Sequence, residues 1–221
     1  MLIAVLTLMG VCACSPKSHQ LVGATEFCVP SGQVIEATGW LANATRHLPN
    51  DGFAFVTTAE QIGAAQGYIP ALNIKGEPMN LSGSLSTQQR GEWIERLPSS
   101  HRWRQLAEGP KAIWSTDSAA SQIFAYESPQ RDRWVVWEIA QGAELSPSSI
   151  EKAGTFIAMC HATDFRGIAT RKVDLTTTCN RTVHRAGMSL SYTFGGANLS
   201  SVPKLDGLVW STVLSWRCNA T

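Results

Sequence analysis

The sequence predicts an α+β fold with an antiparallel β-sheet core and a few helices. Three observations point there. Short runs of branched and aromatic residues, each bounded by turn-forming residues, recur along the chain. Two Thr or Ser residues are followed three positions later by Glu or Gln, the pattern of a helix start. The last apolar residues recur at helical rather than alternating spacing. With 221 residues, 44% apolar and 16% charged, the chain can bury one substantial core.

In order, Gln33–Ala37 and, after the turn signal Asn50-Asp51-Gly52, Phe53–Thr58 read as strands. Thr57 with Glu60 predicts a helix that runs through Gln66 and stops at Gly67. Ala71–Lys75 and Met79–Leu85 read as a strand pair joined by Gly76-Glu77-Pro78. Ser86 with Gln89 opens a second helix carrying Trp93, Ile94 and Leu97 ahead of Pro98. Strands are then expected at Ala112–Ser115, Gln122–Glu127, Arg133–Ala140, Gly154–His161, Val173–Cys179 and Gly187–Phe194. Leu205, Leu208, Val209, Val213 and Trp216 predict a terminal amphipathic helix. The order Phe53, Met79, Trp93 is echoed by Phe156, Met188, Trp210, so two similar halves around one sheet stand as an alternative to an unrepeated domain.

The N-terminus has a separate character. An apolar run, Leu2–Met9, leads into Val11-Cys12-Ala13-Cys14, and it is too short to span a bilayer, which takes about 20 residues. Residues 14–26 are polar with Ser, Pro, Lys and Gly and read as a tether, leaving 27–221 as one globular domain. The net charge of +1 supplies no field for nucleic acid or anionic lipid.

Chemistry-bearing motifs are scarce. The sequence holds no G-x-S-x-G, H-E-x-x-H, Walker loop or dinucleotide fingerprint. Ser82-Gly83-Ser84 and Gly195-Gly196 read as small-residue turns, and His161 with Asp164 reads as a strand end and turn cap rather than a catalytic pair. No cofactor or metal is implied, and the expectation is a binding protein rather than an enzyme. Trp40, Trp134, Trp137, Trp210 and Trp216 lie in apolar contexts and read as core, with alternation making either Trp134 or Trp137 the exposed member of its strand. The segment Arg96–Arg104 differs, because Pro98 interrupts a connection that gathers Arg96, His101, Arg102, Trp103 and Arg104. Arg and Trp are enriched at binding hot spots, so these residues are the candidate partner-binding site. A second basic stretch, Arg166, Arg171, Lys172, Arg181, His184 and Arg185, suits either an acidic partner or a solvated strand edge. The sequons at Asn43, Asn80, Asn180, Asn198 and Asn219 matter only in a eukaryotic secretory chain.

The apolar run ending in Val11-Cys12-Ala13-Cys14 resembles the lipobox of bacterial lipoproteins, which implies a signal peptide over residues 1–13 and an acylated Cys14 as mature N-terminus. Ser15 in the following position favours the outer membrane under the same resemblance, with the domain facing the periplasm and touching the membrane only through its lipid. In that oxidising compartment Cys28, Cys160, Cys179 and Cys218 remain, an even number that implies two disulfides with three pairings open. Size, compartment and the missing catalytic set together make the chain similar in general build to periplasmic immunity lipoproteins. That resemblance implies binding and neutralising a secreted antibacterial toxin, such as a phospholipase effector, by occluding its active site. An envelope-assembly or glycan-binding lipoprotein is the runner-up, and a hydrolase built from dispersed residues comes third.

Overall fold

Several alternating runs become strands where the sequence places them, while the run expected over Val173–Cys179 gives a strand at Thr177–Arg185, and pairing decides the architecture. The computed structural model describes residues 16–35, 51–62, 67–87, 112–114, 121–127, 133–140, 142, 154–162 and 177–218. The elements are β1 (Lys17–Val22), β2 (Thr25–Pro30), β3 (Gly52–Thr57), α1 (Ala59–Ile62), β4 (Leu81–Thr87), β5 (Ala112–Trp114), β6 (Ser121–Glu127), β7 (Arg133–Ala140), β8 (Thr155–Ala162), β9 (Thr177–Arg185), β10 (Met188–Gly195) and α2 (Val202–Leu214). Over the described residues the fold is mostly antiparallel β with few helices, in two sheets. The hairpin β1–β2 forms the small one, and the large one runs β3-β4-β10-β9-β8-β7-β6-β5. Strands β5 to β10 are a meander of sequence neighbours, and β4 closes onto β10 with Ser84 opposite Ser191.

Turn chemistry explains the tight connections. Gly23, at φ 60°, takes the first of two loop positions between Val22 and Thr25, as a type II′ hairpin requires. Between β9 and β10, Ala186 and Gly187 both have positive φ, 50° and 75°, the two-residue geometry whose right-handed twist matches the flanking strands. Ala186 is strained there, because a Cβ in the left-handed region costs roughly 1–2 kcal/mol.

The core lies between one face of the large sheet, helix α2 and the β1–β2 hairpin. Period-2 alternation turns Leu190, Tyr192 and Phe194 of β10, Leu81 and Leu85 of β4, and Phe53 and Phe55 of β3 toward it. Val202, Leu205, Val209, Trp210 and Val213 face it from α2. Phe27 of β2 is fully buried with its ring 5.6 Å from Phe53, and Trp216 packs edge-on to Phe55 at 5.4 Å. Gly83 is required at its place in β4, since a Cβ there would lie 2.6 Å from Phe55 Cζ and 2.7 Å from Ser191 O.

Several expectations need correcting. The tether expected over 14–26 is replaced from Lys17 on by β1, because each residue of Lys17–Val22 finds a partner in β2. Of Gln33–Ala37, the described residues 33–35 give the end of a 3-10 turn over Ser31–Gln33 and a bridge from Val34 to Phe55, and the rest lies outside the described residues. Ala71–Lys75 is a turn with one Leu72–Pro78 bridge, since Asn73 Oδ1 accepts the backbone N–H groups of Lys75 and Glu77 and folds the chain back locally. The helix start falls one residue later than Thr57: Thr58 Oγ1 accepts Gln61 N–H at 3.3 Å while Gln61 Oε1 accepts Thr58 N–H at 3.0 Å, a reciprocal capping box. Ser82-Gly83-Ser84 is strand interior, not a turn. The echoed segments hold unlike places, for β3 and β4 are direct neighbours whereas β8 and β10 have β9 between them. The helix predicted around Trp93 lies outside the described residues.

Candidate functional site

The face of the large sheet opposite α2 carries its most regular chemistry. Where β4, β10 and β9 turn apolar side chains to the core, the alternate positions are Ser82, Ser84 and Ser86, then Ser189, Ser191 and Thr193, then Thr178, Asn180, Thr182 and His184. Register sets these small polar groups in rows across the strands, and adjacent members bond directly. His184 Nδ1 lies 2.6 Å from Ser189 Oγ, and Thr182 Oγ1 lies 2.9 Å from Ser191 Oγ. Thr193 Oγ1 donates to Asn180 Oδ1 at 2.7 Å, and at the β8 side Thr178 Oγ1 is 3.0 Å from His161 Nε2. These are the rungs of a ladder whose hydroxyl, amide and imidazole groups are fixed in place by one another.

The Ser189–His184 pair has the spacing of a nucleophile and base, but Ser189 is only 1% exposed, so a substrate would have no approach to its oxygen. Asn180 is exposed, and Ser82, Ser84, Ser86, Ser191, Thr193 and Thr182 are half-buried, offering unused donor and acceptor capacity to a surface laid against them. The alternation of Ser with Leu over Leu81–Thr87 was the signal for this face. Three small residues in a row obscured it.

On the core face, Arg181 corrects the reading of a basic outer edge. Its Nε and Nη2 donate to Asp206 Oδ1 and Oδ2, both at 2.7 Å, and Nη1 donates to Ile157 O at 2.7 Å. Tyr192 adds its hydroxyl to Asp206 Oδ1 at 2.5 Å. Burial alone would lower the Arg181 pKa, but the bonds to Asp206 and its charge outweigh that and hold it above the ordinary value. Burial first, then the Asp206 charge, pushes the Tyr192 phenol far above 10.0. Arg185 stacks over the Trp210 ring at 5.8 Å. This network ties β8, β9 and β10 to α2 and is structural.

A cleft of about 320 Å³ opens between the β1–β2 hairpin and the end of β3, lined by Ser31, Gln33, Thr57, Thr58, Gln61 and Asn80 among others. Gln33 Oε1 is buried there and has no hydrogen-bond partner among the described residues. Asn198 is buried with its amide clamped between Ile69 and Gly195, which closes that sequon to modification in the folded chain.

Of the sequence-predicted site residues, the four cysteines are paired as Cys28–Cys218 and Cys160–Cys179. His161 lies in β8, while Asp164, Cys14, Arg96, His101, Arg102, Trp103 and Arg104 lie outside the described residues, as do Arg166, Arg171, Lys172 and Trp40. Trp137, Trp210 and Trp216 are buried as expected.

No family model and no curated protein matches the chain. Among solved structures, an immunity protein of the Stenotrophomonas maltophilia type IV secretion system aligns over 93% of this chain and 94% of its own, with 9% identity and a TM-score of 0.47. A likeness of that size carries no argument, and the activity is argued from the residues.

Proposed function

We propose that the chain is a periplasm-facing envelope lipoprotein that binds and neutralises a secreted antibacterial toxin, with phospholipase effectors as the class in view, by covering the toxin's active site. The observation that carries the reading is the ladder on the outer face of β4, β10, β9 and β8, whose polar groups on β10, β9 and β8 are held by cross-strand bonds. A surface already ordered in this way loses little side-chain entropy on binding, which suits tight occlusion by a rigid inhibitor. Arg96, His101, Arg102, Trp103 and Arg104 are proposed as a second contact, with Arg102→Ala and Arg104→Ala each weakening the complex by roughly 1–3 kcal/mol. Cys14 is proposed as the acylated terminus, so a Cys14→Ala chain should leave the membrane fraction.

The test is to find whether a toxin is encoded beside the gene and to assay that toxin with this chain. Co-expression should restore growth and yield a stable complex, and Asn180→Arg with Ser84→Arg should weaken that complex by at least about 10-fold, or 1.4 kcal/mol, without shifting the melting temperature. A toxin that neither binds the chain nor is silenced by it would overturn the proposal. The amide-lined cleft with its unpaired Gln33 oxygen favours, as a second reading, an envelope glycan ligand, which binding of a soluble peptidoglycan fragment would reveal by chemical-shift changes at Gln33 and Gln61.

A further inference from the structure

The N-terminal hairpin and the chain's other end build a set of metal-ligating groups. β1 places His19 directly opposite Cys28 on β2. The C-terminal stretch runs along the other side of β2, where Cys28 N–H donates to Trp216 O at 2.6 Å and Cys218 N–H donates to Glu26 O at 3.1 Å. His19, Cys28 and Cys218 therefore lie in a row across three neighbouring backbone segments, and their ligating atoms fall within 4.8 Å of one another. Glu26, two residues from Cys28 on the same face of β2, holds His19 Nδ1 at 2.7 Å. Two thiolates and an imidazole are three of the four ligands a zinc ion takes, and the Glu26 carboxylate bonded to the imidazole is placed to orient it. In the oxidised chain the two sulfurs are instead joined to each other.

The two disulfides are not equally open to reduction. Cys160 and Cys179 are 0% exposed, whereas Cys28 and Cys218 are half-buried beside the exposed His19. Exchange requires an attacking thiolate to reach a sulfur, so the bridge between the chain ends is the one that opens first. The backbone bonds that flank it do not run through the sulfur–sulfur bond.

We propose that Cys28, Cys218 and His19 hold a Zn²⁺ ion, with Glu26 orienting the His19 ring, when a dithiol reduces the Cys28–Cys218 bridge. The dithiol is oxidised to its own disulfide as two electrons and two protons pass to the cysteine sulfurs. Zinc then displaces those two thiol protons and takes the His19 imidazole in its neutral form. The metal replaces a covalent tie with a coordinate one, so β2 and the C-terminal stretch stay fastened under either redox condition. This inference stands apart from the toxin-binding reading and is tested without a partner.

The test uses the full chain, reduced with a phosphine that leaves zinc free, and Co²⁺ as a spectroscopic probe. The reduced protein should bind one equivalent of Co²⁺ with the visible bands of a tetrahedral thiolate site, and Zn²⁺ should displace it. Those bands should be absent from the oxidised chain, persist in Cys160→Ser/Cys179→Ser and vanish in Cys28→Ser/Cys218→Ser. His19→Ala and Glu26→Gln should each weaken binding by at least about 10-fold. If reduction alone loosens the fold, Zn²⁺ should restore the far-ultraviolet circular dichroism. A reduced chain that binds no more Co²⁺ than the oxidised one, bands that survive Cys28→Ser/Cys218→Ser, unchanged affinity in both His19→Ala and Glu26→Gln, or a reduced fold that Zn²⁺ fails to restore would each overturn the proposal.

Discussion

Arg181 and Asp206 hold each other through two parallel hydrogen bonds of 2.7 Å that join the middle of β9 to the second turn of α2. Both side chains are largely buried, at 15% and 7% exposure, so neither charge has water to fall back on. Removing one partner leaves the other stranded, at a cost of about 3–5 kcal/mol. Asp206→Ala should therefore destabilise by that amount in urea unfolding. The double variant Arg181→Met/Asp206→Leu should recover much of the loss, because it removes both desolvated charges together.

Tyr192 predicts an alkaline limit to stability. Its folded pKa is raised above the ordinary 10.0, so the protonated phenol is favoured in the folded chain. That contribution is fully present below pH 10 and is lost as pH rises above the unfolded value, where the unfolded chain releases a proton that the folded one keeps. The slope lost per pH unit is about 1.4 kcal/mol for one such group. Urea titrations at several pH values above 10 should show a shallower fall for Tyr192→Phe than for the parent chain.

The β9–β10 hairpin offers a stabilising change. Ala186 sits at φ 50° ahead of Gly187 at φ 75°, where Asn tolerates the left-handed region better than Ala. Ala186→Asn should raise stability by about 0.5–1 kcal/mol, and Ala186→Pro, which fixes φ near −65°, should destabilise. Thermal melts of the two variants check both signs.

The disulfides should differ in both energy and order of reduction. Cys28–Cys218 spans 190 residues and Cys160–Cys179 spans 19, which in the chain-entropy model gives about 5 and about 3 kcal/mol. Under mild thiol, alkylation and mass spectrometry should find Cys28 and Cys218 modified first, since the other pair is fully buried. Simultaneous modification of all four would show that reduction proceeds through global opening.

Much of the local structure was legible because its causes are local. Turn residues and period-2 alternation gave β6 to β8 and β10 within a residue or two, and the spacing of Leu205, Val209 and Val213 gave α2. Thr58 rather than Thr57 caps α1, since either threonine satisfies the pattern and only the path of β3 chooses. The Leu81–Thr87 alternation was visible too, but its meaning depended on the strand laid beside it.

By itself the sequence supported the expectation of an antiparallel sheet with a few helices and determined an even set of four cysteines in the body of the chain. Only the tertiary structure decided that Cys28 pairs with Cys218, that β4 lies against β10, that Arg181 turns inward to Asp206 and that the serines and threonines of three strands fall into one ladder. The physical reason is one of range. Propensity, capping and turn geometry act over a few residues, whereas strand order and inward-facing charge are set by which distant segments exclude water together, and that choice appears only once the chain has packed.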